Sequence, residues 1–167
     1  EHIPDIPIRP LSIITTEKHP IVVVLDHLED PYNVGAIMRT CECLGINTII
    51  VPKNRQAPLN SGVIKTSSGA AYYLNIIQVA NIANALSECT KKGYWIYGLD
   101  SNRGITLSQF KPHLPCVLVV GNEHKGLSTI VKKQLHDPVR LSMKGKISSL
   151  NVSVATGIML HHLSSLL

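Results

Sequence analysis

Apolar and polar residues alternate along this chain in two recurring patterns. Short β-branched runs such as Ile21–Leu25 suit strands buried on both faces. Longer segments such as Asn33–Leu44 carry apolar residues at helical spacing, and this one follows Asp30 as a cap and Pro31 as a first-turn residue. The other predicted elements are, in chain order, a strand at Thr48–Val51, a short helix at Ser61–Ser67, a strand at Tyr73–Ile77, a helix at Ile82–Lys92, strands at Trp95–Gly98 and Cys116–Val120, a helix at Ser128–Gln134 and a strand at Pro138–Leu141. Strands that alternate with helices predict an α/β domain whose mainly parallel sheet has helices on both faces.

The first twenty residues differ from the rest of the chain. They include four prolines among scattered polar residues, so we expect residues 1–20 to form an extended lead-in and residues 21–167 to form a single domain. The abrupt start of the sequence leads us to expect that a preceding segment has been removed.

The C-terminal segment is apolar on several sides of a predicted helix. Met159 and Leu163 follow helical spacing on one face, and Val154 and Ile158 cover a second face. Such a helix belongs in a core or at a subunit interface. Its first turn is nevertheless polar, with Ser149 as the expected N-cap, and polar side chains there form either a structural cap or a binding site.

Composition narrows the function classes. The net charge of +5 and the pI near 9.1 suit a polyanionic partner. Aromatic residues make up only 4% of the chain, which argues against a single-strand stacking platform. The four cysteines form no CxxC pair and no histidine motif has metal-ligand spacing, so we expect reduced cysteines, a cytoplasmic protein and no metal. No apolar run is long enough to span a bilayer.

Three polar segments follow predicted strands, where ligands of open α/β sheets bind. They are residues 30–40, 121–128 and 141–151. Gly121 and Gly126 have P-loop spacing, but Leu127 stands where that motif needs lysine, which argues against an NTPase. Each segment also has a structural interpretation, because Arg39 could be a solvated helix residue and Glu123 a helix-start carboxylate.

Together these segments resemble the three signature motifs of the SpoU branch of the SPOUT methyltransferases. The first is Asp30-Pro31-Tyr32-Asn33-Val34-Gly35-Ala36-Ile37-Met38-Arg39-Thr40. The second is Gly121-Asn122-Glu123 with Gly126-Leu127-Ser128, and the third is Leu141-Ser142-Met143 with Ser149-Leu150-Asn151-Val152-Ser153. The resemblance covers about Ile21 to Leu163. It depends on all three motifs occurring in the order of the family, each after a predicted strand.

The resemblance implies an enzyme that transfers a methyl group from S-adenosylmethionine to a ribose 2′-hydroxyl of RNA. It also implies a C-terminal deep trefoil knot, which general topology rules would exclude, and a homodimer with active sites at the subunit interface. By position, Arg39 matches the arginine that helps to deprotonate the hydroxyl. The polar residues around the reacting centre correspond to Asn33, Glu123, Ser149 and Asn151, and the cofactor-binding positions to Gly121, Leu141, Met143 and Leu150.

Two further features bear on activity and target. Ser142 occupies a position where the family usually has proline. Serine, unlike proline, has a backbone amide, and the effect of this difference on the affinity for S-adenosylmethionine is left open. The segment Lys65-Thr66-Ser67-Ser68-Gly69-Ala70 is more similar to the enzymes that act on a 23S rRNA guanosine than to the tRNA enzymes. A tRNA 2′-O-methyltransferase and a catalytically silent RNA-binding homologue remain alternatives. Because arginine stays protonated at physiological pH, Arg39 could act with an RNA phosphate or purely electrostatically.

Overall fold

The computed structural model describes residues 3–167, so Glu1 and His2 of the predicted lead-in lie outside the described residues. This part of the chain forms eight strands and five α-helices. In chain order these are Ile8–Arg9 (β1), Ile21–Asp26 (β2), Pro31–Cys43 (α1), Thr48–Pro52 (β3), Ser61–Thr66 (α2), Asn75–Val79 (β4), Ile82–Lys91 (α3), Trp95–Leu99 (β5), Ile105–Thr106 (β6), Cys116–Gly121 (β7), Thr129–Gln134 (α4), Asp137–Arg140 (β8) and Val152–Ser164 (α5). Short 3-10 turns span Leu11–Ile13, Ala70–Tyr73 and Leu107–Gln109.

The strands form one sheet in the order β1-β4-β3-β2-β7-β5-β8-β6, and the pairings between them are all parallel. β2 and β7 lie at its centre and are buried along their whole length. Their register aligns Ile21 with Cys116 and Asp26 with Gly121. The polar segments that follow β2 and β7 therefore leave the sheet side by side at its carboxyl edge.

Helices cover both faces of the sheet, as predicted. On one face, residues of α1 and α5 such as Ile37 and Met159 pack against Val23 of β2. On the other, residues of α3 and α4 such as Leu86 and Val131 pack in a second cluster. A parallel sheet buried in this way explains why its strands appear in the sequence as continuous apolar runs. The predicted α/β class with a parallel sheet is therefore confirmed.

Most predicted elements agree with the structure to within one or two residues. The strand predicted from Tyr73 begins instead at Asn75, because Tyr73 belongs to the preceding 3-10 turn. The predicted N-cap of the last helix is wrong as well. α5 begins at Val152, and the side chain of Asn151 accepts hydrogen bonds from the amides of Ser153 (2.8 Å) and Val154 (3.3 Å). Ser149 lies before the cap, in the loop.

The lead-in is attached to the domain by several contacts. β1 pairs in parallel with β4 and so adds an edge strand to the sheet. The Tyr94 hydroxyl lies 2.6 Å from the backbone oxygen of His19, and the Lys92 ammonium donates to the backbone oxygen of Ile14 at 2.8 Å. Ile14 and His19 are buried. The segment expected to be merely extended thus contributes residues to the core.

Within residues 3–167, none of the helices has the length and apolar character that a membrane crossing requires. The trefoil knot remains a prediction.

Candidate active site

A cleft of about 270 Å³ opens at the carboxyl ends of β5, β7 and β8, near the lower end of the usual range for ligand pockets. All four residues predicted to bind a cofactor line it. They are Gly121, Leu141, Met143 and Leu150. Glu123 and Ser149 of the predicted catalytic set line the cleft too. Two of the three polar segments therefore meet in one concave site, as the sequence predicted from their positions after strands.

Glu123 connects this cleft to the loop that precedes α1. One carboxylate oxygen accepts a hydrogen bond from the amide of Asp30 at 2.7 Å, and the other accepts from Glu29 at 3.2 Å. Burial raises the pKa of Glu123, but hydrogen bonds from its own amide, from Asp30 and Glu29, and from the side chain of Asn33 outweigh it and lower the pKa. Glu123 is therefore ionised at neutral pH and acts as a hydrogen-bond acceptor.

Asn33 and Asn151 join the first segment to the third. The Asn151 amide donates to the side-chain oxygen of Asn33 at 3.2 Å. Asn33 is only 4% exposed, on the buried side of the first turn of α1. Asn151 uses its own oxygen to cap α5, so both ends of its side chain are engaged. The starts of the two helices are thereby held together by one side-chain pair.

The tight turn after β7 requires glycine at two positions of the second segment, residues 121–128. A β-carbon on Gly121 would overlap the backbone of Gly126 and Leu127. Gly126 has φ = 70°, a left-handed conformation that glycine adopts without strain. The Asn122 side chain accepts from the amides of His124 (2.9 Å) and Lys125 (3.0 Å), and donates to the backbone oxygen of His27 at 2.7 Å. Gly121 thus permits the tight turn that carries Glu123 into the cleft.

Arg39 lies apart from these residues. It is exposed on α1 and does not line the cleft of its own chain. Its guanidinium donates to the Ser68 hydroxyl at 3.1 Å. Val34, Ile37 and Met38 of α1 are fully buried, in agreement with the helical spacing of apolar residues in this segment, and leave Arg39 on the opposite side. The structure therefore brings together every predicted site residue except Arg39.

Sequence reasoning missed some residues of this region. Leu99 and Asp100, at the end of β5, line the cleft. Their place after a predicted strand was the available signal, but no motif marked them. Asn122 is identified in the sequence only as part of a motif, and its hydrogen bond to the backbone of His27, just after β2, could not be inferred from spacing. In residues 3–167, no group of three or more His, Cys, Asp or Glu side chains has a geometry suited to a metal ion.

Comparison with known proteins identifies the family. The model of the SpoU rRNA methylase family matches residues 20–161. The 23S rRNA (guanosine-2'-O-)-methyltransferase RlmB of Pseudomonas aeruginosa is 39% identical over 145 residues, which cover 87% of this chain and 58% of that protein. The uncharacterized tRNA/rRNA methyltransferase MG252 of Mycoplasma genitalium is 37% identical over 152 residues, covering 90% of this chain and 63% of that protein. The chain thus spans 58% to 63% of the length of these curated relatives.

A solved structure supports the same assignment. The AdoMet-bound rRNA methyltransferase of Sinorhizobium meliloti superposes with a TM-score of 0.88 at 26% identity, covering 96% of this chain and 62% of that one. This likeness confirms the predicted fold class, and the family match covers all three polar segments. The chain belongs to the SpoU rRNA methylase family.

Proposed function

We propose that this protein is an S-adenosylmethionine-dependent RNA methyltransferase that methylates a ribose 2′-hydroxyl, with a guanosine of 23S rRNA as its target. The observation that carries this proposal is the cleft at the carboxyl ends of β5, β7 and β8, together with the polar network at its margin. Glu123 accepts hydrogen bonds from the amides of Glu29 and Asp30 just before α1, and Asn151 donates to Asn33 in the first turn of α1, so the three segments meet beside the cleft. Solved relatives, such as the one from Sinorhizobium meliloti, carry AdoMet.

The residues present fit this cofactor. Leu141 and Leu150, near the two ends of the loop before α5, line the cleft with apolar side chains, and Gly121 lines it where a β-carbon would not fit. In the described part of the chain, residues 142–150 make no backbone–backbone hydrogen bond and belong to no strand or helix. Their amides and carbonyls are therefore available to a polar ligand. When bound, S-adenosylmethionine supplies an activated methyl group on a sulfonium centre.

The protein contributes alignment and assistance to one proton transfer. Glu123 fixes the loop before α1 through the amides of Glu29 and Asp30. Asn33 and Asn151 set the relative position of α1 and α5. Arg39 supplies positive charge beside the 2′-hydroxyl and lowers the free energy of the alkoxide that forms as the hydroxyl proton passes to a phosphate of the RNA.

A homodimer would complete this site. Arg39 does not line the cleft of its own chain, so we infer that it reaches the cleft of a second copy. Val154 and Ile158 of α5 are 51% and 43% exposed and lie one turn apart, so they form an apolar patch on a helix whose Met159, Leu160 and Leu163 are buried. They line a groove with Ala36 of α1. Pairing α1 and α5 with the same helices of a partner would bury this groove.

The choice of RNA rests on two observations. The segment from Lys65 to Ala70 is similar to the rRNA guanosine enzymes, and the Pseudomonas aeruginosa relative acts on a guanosine of 23S rRNA according to its name. A tRNA target is the second candidate, favoured by relatives named as tRNA/rRNA methyltransferases. A catalytically silent RNA-binding protein is disfavoured because Arg39, Glu123 and Asn151 are all present.

The decisive experiment measures transfer of labelled methyl groups from S-adenosylmethionine to 23S rRNA and to tRNA transcripts. We expect label in 23S rRNA, at a guanosine whose ribose becomes resistant to alkaline cleavage. Label confined to tRNA would assign the second target. Binding of RNA and S-adenosylmethionine without transfer would indicate a silent homologue. The dimer is tested separately by sedimentation, where a monomer at micromolar concentration with activity intact would refute it.

A further inference from the structure

Within residues 3–167, the Arg39 side chain makes one hydrogen bond, and its acceptor lies outside α1. Its guanidinium donates to the hydroxyl of Ser68 at 3.1 Å. Ser68 lies in the turn between α2 and the 3-10 turn at Ala70–Tyr73, 29 residues further along the chain. A free arginine on a helix surface samples many rotamers, and a single acceptor at this distance restricts them. Ser68 thus restricts the directions in which the guanidinium points.

The backbone of Ser68 has a conformation that serine rarely adopts. Its φ is 54°, in the left-handed region, where glycine and asparagine are the usual residues. The turn imposes this conformation: the amide of Ser68 donates to Lys65 at 3.0 Å, and the amide of Gly69 donates to Ile64 at 2.9 Å. Glycine would satisfy the same turn without strain, so the hydroxyl of Ser68 is not required by the turn itself.

This turn cannot move independently of α1. A β-carbon on Gly35 would collide with the side chain of Thr66, so the two segments approach as closely as a glycine allows. The Thr66 hydroxyl also lies 3.0 Å from the backbone oxygen of Pro31, at the start of α1. The Ser68 hydroxyl is therefore presented to Arg39 from a support that is packed onto the helix carrying Arg39.

We propose that Ser68 is a positioning residue that orients Arg39 for proton removal from the ribose. This inference rests on the proposed methyl transfer, since it assigns Ser68 a role in that reaction. Ser68 acts only through Arg39. Its removal should lower the rate of the chemical step and leave the affinity for S-adenosylhomocysteine unchanged, because Ser68 does not line the cofactor cleft.

The test variant is Ser68→Gly, which deletes the hydroxyl and relieves the left-handed strain. We expect the single-turnover rate to fall about 3- to 10-fold, the effect of losing one ordinary hydrogen bond, while the melting temperature stays level or rises. If Ser68 does not position Arg39, the glycine variant should be equally stable but fully active. Ser68→Ala should show the same rate loss with a lower melting temperature. Ser61→Ala, at the exposed start of α2, is the matched control and should change neither quantity.

A double-mutant cycle decides whether Ser68 acts through Arg39. In an Arg39→Ala background, Ser68→Gly should have no further effect on the rate. An equal fall in both backgrounds, or no fall in either, would overturn the proposal. If the protein transfers no methyl group at all, the proposed function fails, and NMR order of the Arg39 side chain then tests the inference alone. Loss of that order in Ser68→Gly would support positioning, and unchanged order would overturn it.

Discussion

Asn151 carries two roles that substitution can separate. Its side-chain oxygen caps α5, and its amide nitrogen donates to Asn33. Asn151→Ala removes both interactions. Loss of an N-cap costs about 1 kcal/mol, and an unpaired oxygen on the buried Asn33 costs about 1 kcal/mol more. A chain of 167 residues loses roughly 2–4 °C per kcal/mol. We therefore expect Asn151→Ala to lower the melting temperature by roughly 4–8 °C.

Asn151→Ser keeps a capping hydroxyl but cannot reach Asn33. Its melting temperature should fall by about half as much, roughly 2–4 °C, because only the link to α1 is lost. The matched control is Ser149→Ala. Ser149 is exposed in the loop before the cap, so its replacement should change stability by less than about 0.5 kcal/mol.

Calorimetry or a fluorescence melt measures all three variants, and single-turnover methyl transfer is followed alongside. If Asn33 and Asn151 must be joined for catalysis, the serine and alanine variants should lose activity equally despite their different stabilities. Equal melting temperatures for the two variants would refute the capping role of Asn151. Full activity in Asn151→Ser would refute the catalytic importance of the link between the helices.

Four further outcomes are expected. Arg39→Ala should lower the saturated methyl-transfer rate by about 10²–10⁴-fold with little change in cofactor affinity, and Arg39→Lys should restore it only partly; a wild-type single-turnover rate for Arg39→Ala would exclude the assignment. Gly121→Ala should lower both the melting temperature and the calorimetric affinity for S-adenosylhomocysteine, since its β-carbon would overlap the backbone of Gly126; a stable, binding-competent variant would contradict this packing. The pKa of Glu123 is lowered in the folded protein, so the ionised carboxylate stabilises the fold above its unfolded-state pKa. This stabilisation is lost as the pH falls through the folded-state pKa. Denaturant titrations at a series of acidic pH values should therefore show the difference in unfolding free energy between wild type and Glu123→Gln shrinking to zero. Finally, Ile158→Asp should produce monomers in sedimentation and abolish transfer, whereas a dimeric, active variant would place the interface elsewhere.

The strands of the central sheet could be predicted because burial on both faces leaves an unmistakable pattern. Ile21–Asp26 and Cys116–Gly121 are continuous apolar runs that end at the polar residues of the site. Two-residue strands carry no such periodicity. Ile8–Arg9 and Ile105–Thr106 are strands only because β4 and β8 present free edges to them, and an edge is a property of the assembled sheet.

The site, like the sheet, has features that the sequence pattern predicts and features that depend on the assembled fold. The motifs predicted which residues line the cleft, because position after a strand fixes position at the sheet edge. They could not predict the partners of Asn33, which depend on how α1 meets a loop more than a hundred residues away. Serine and asparagine both suit an N-cap, so the pattern alone does not distinguish Ser149 from Asn151. In the structure it is Asn151 that caps α5, and the same side chain also contacts Asn33 of α1.

Asn33 lies where three segments converge, with Glu123 on one side and Asn151 on the other. A ligand that orders the loop between β8 and α5 therefore also favours one arrangement of the first turn of α1. The converse holds for a ligand that engages α1 directly. Thermodynamic linkage requires the two effects to be equal, so cofactor and RNA should each raise the affinity of the other by the same factor. Asn33 is the residue through which we expect this cooperativity to pass.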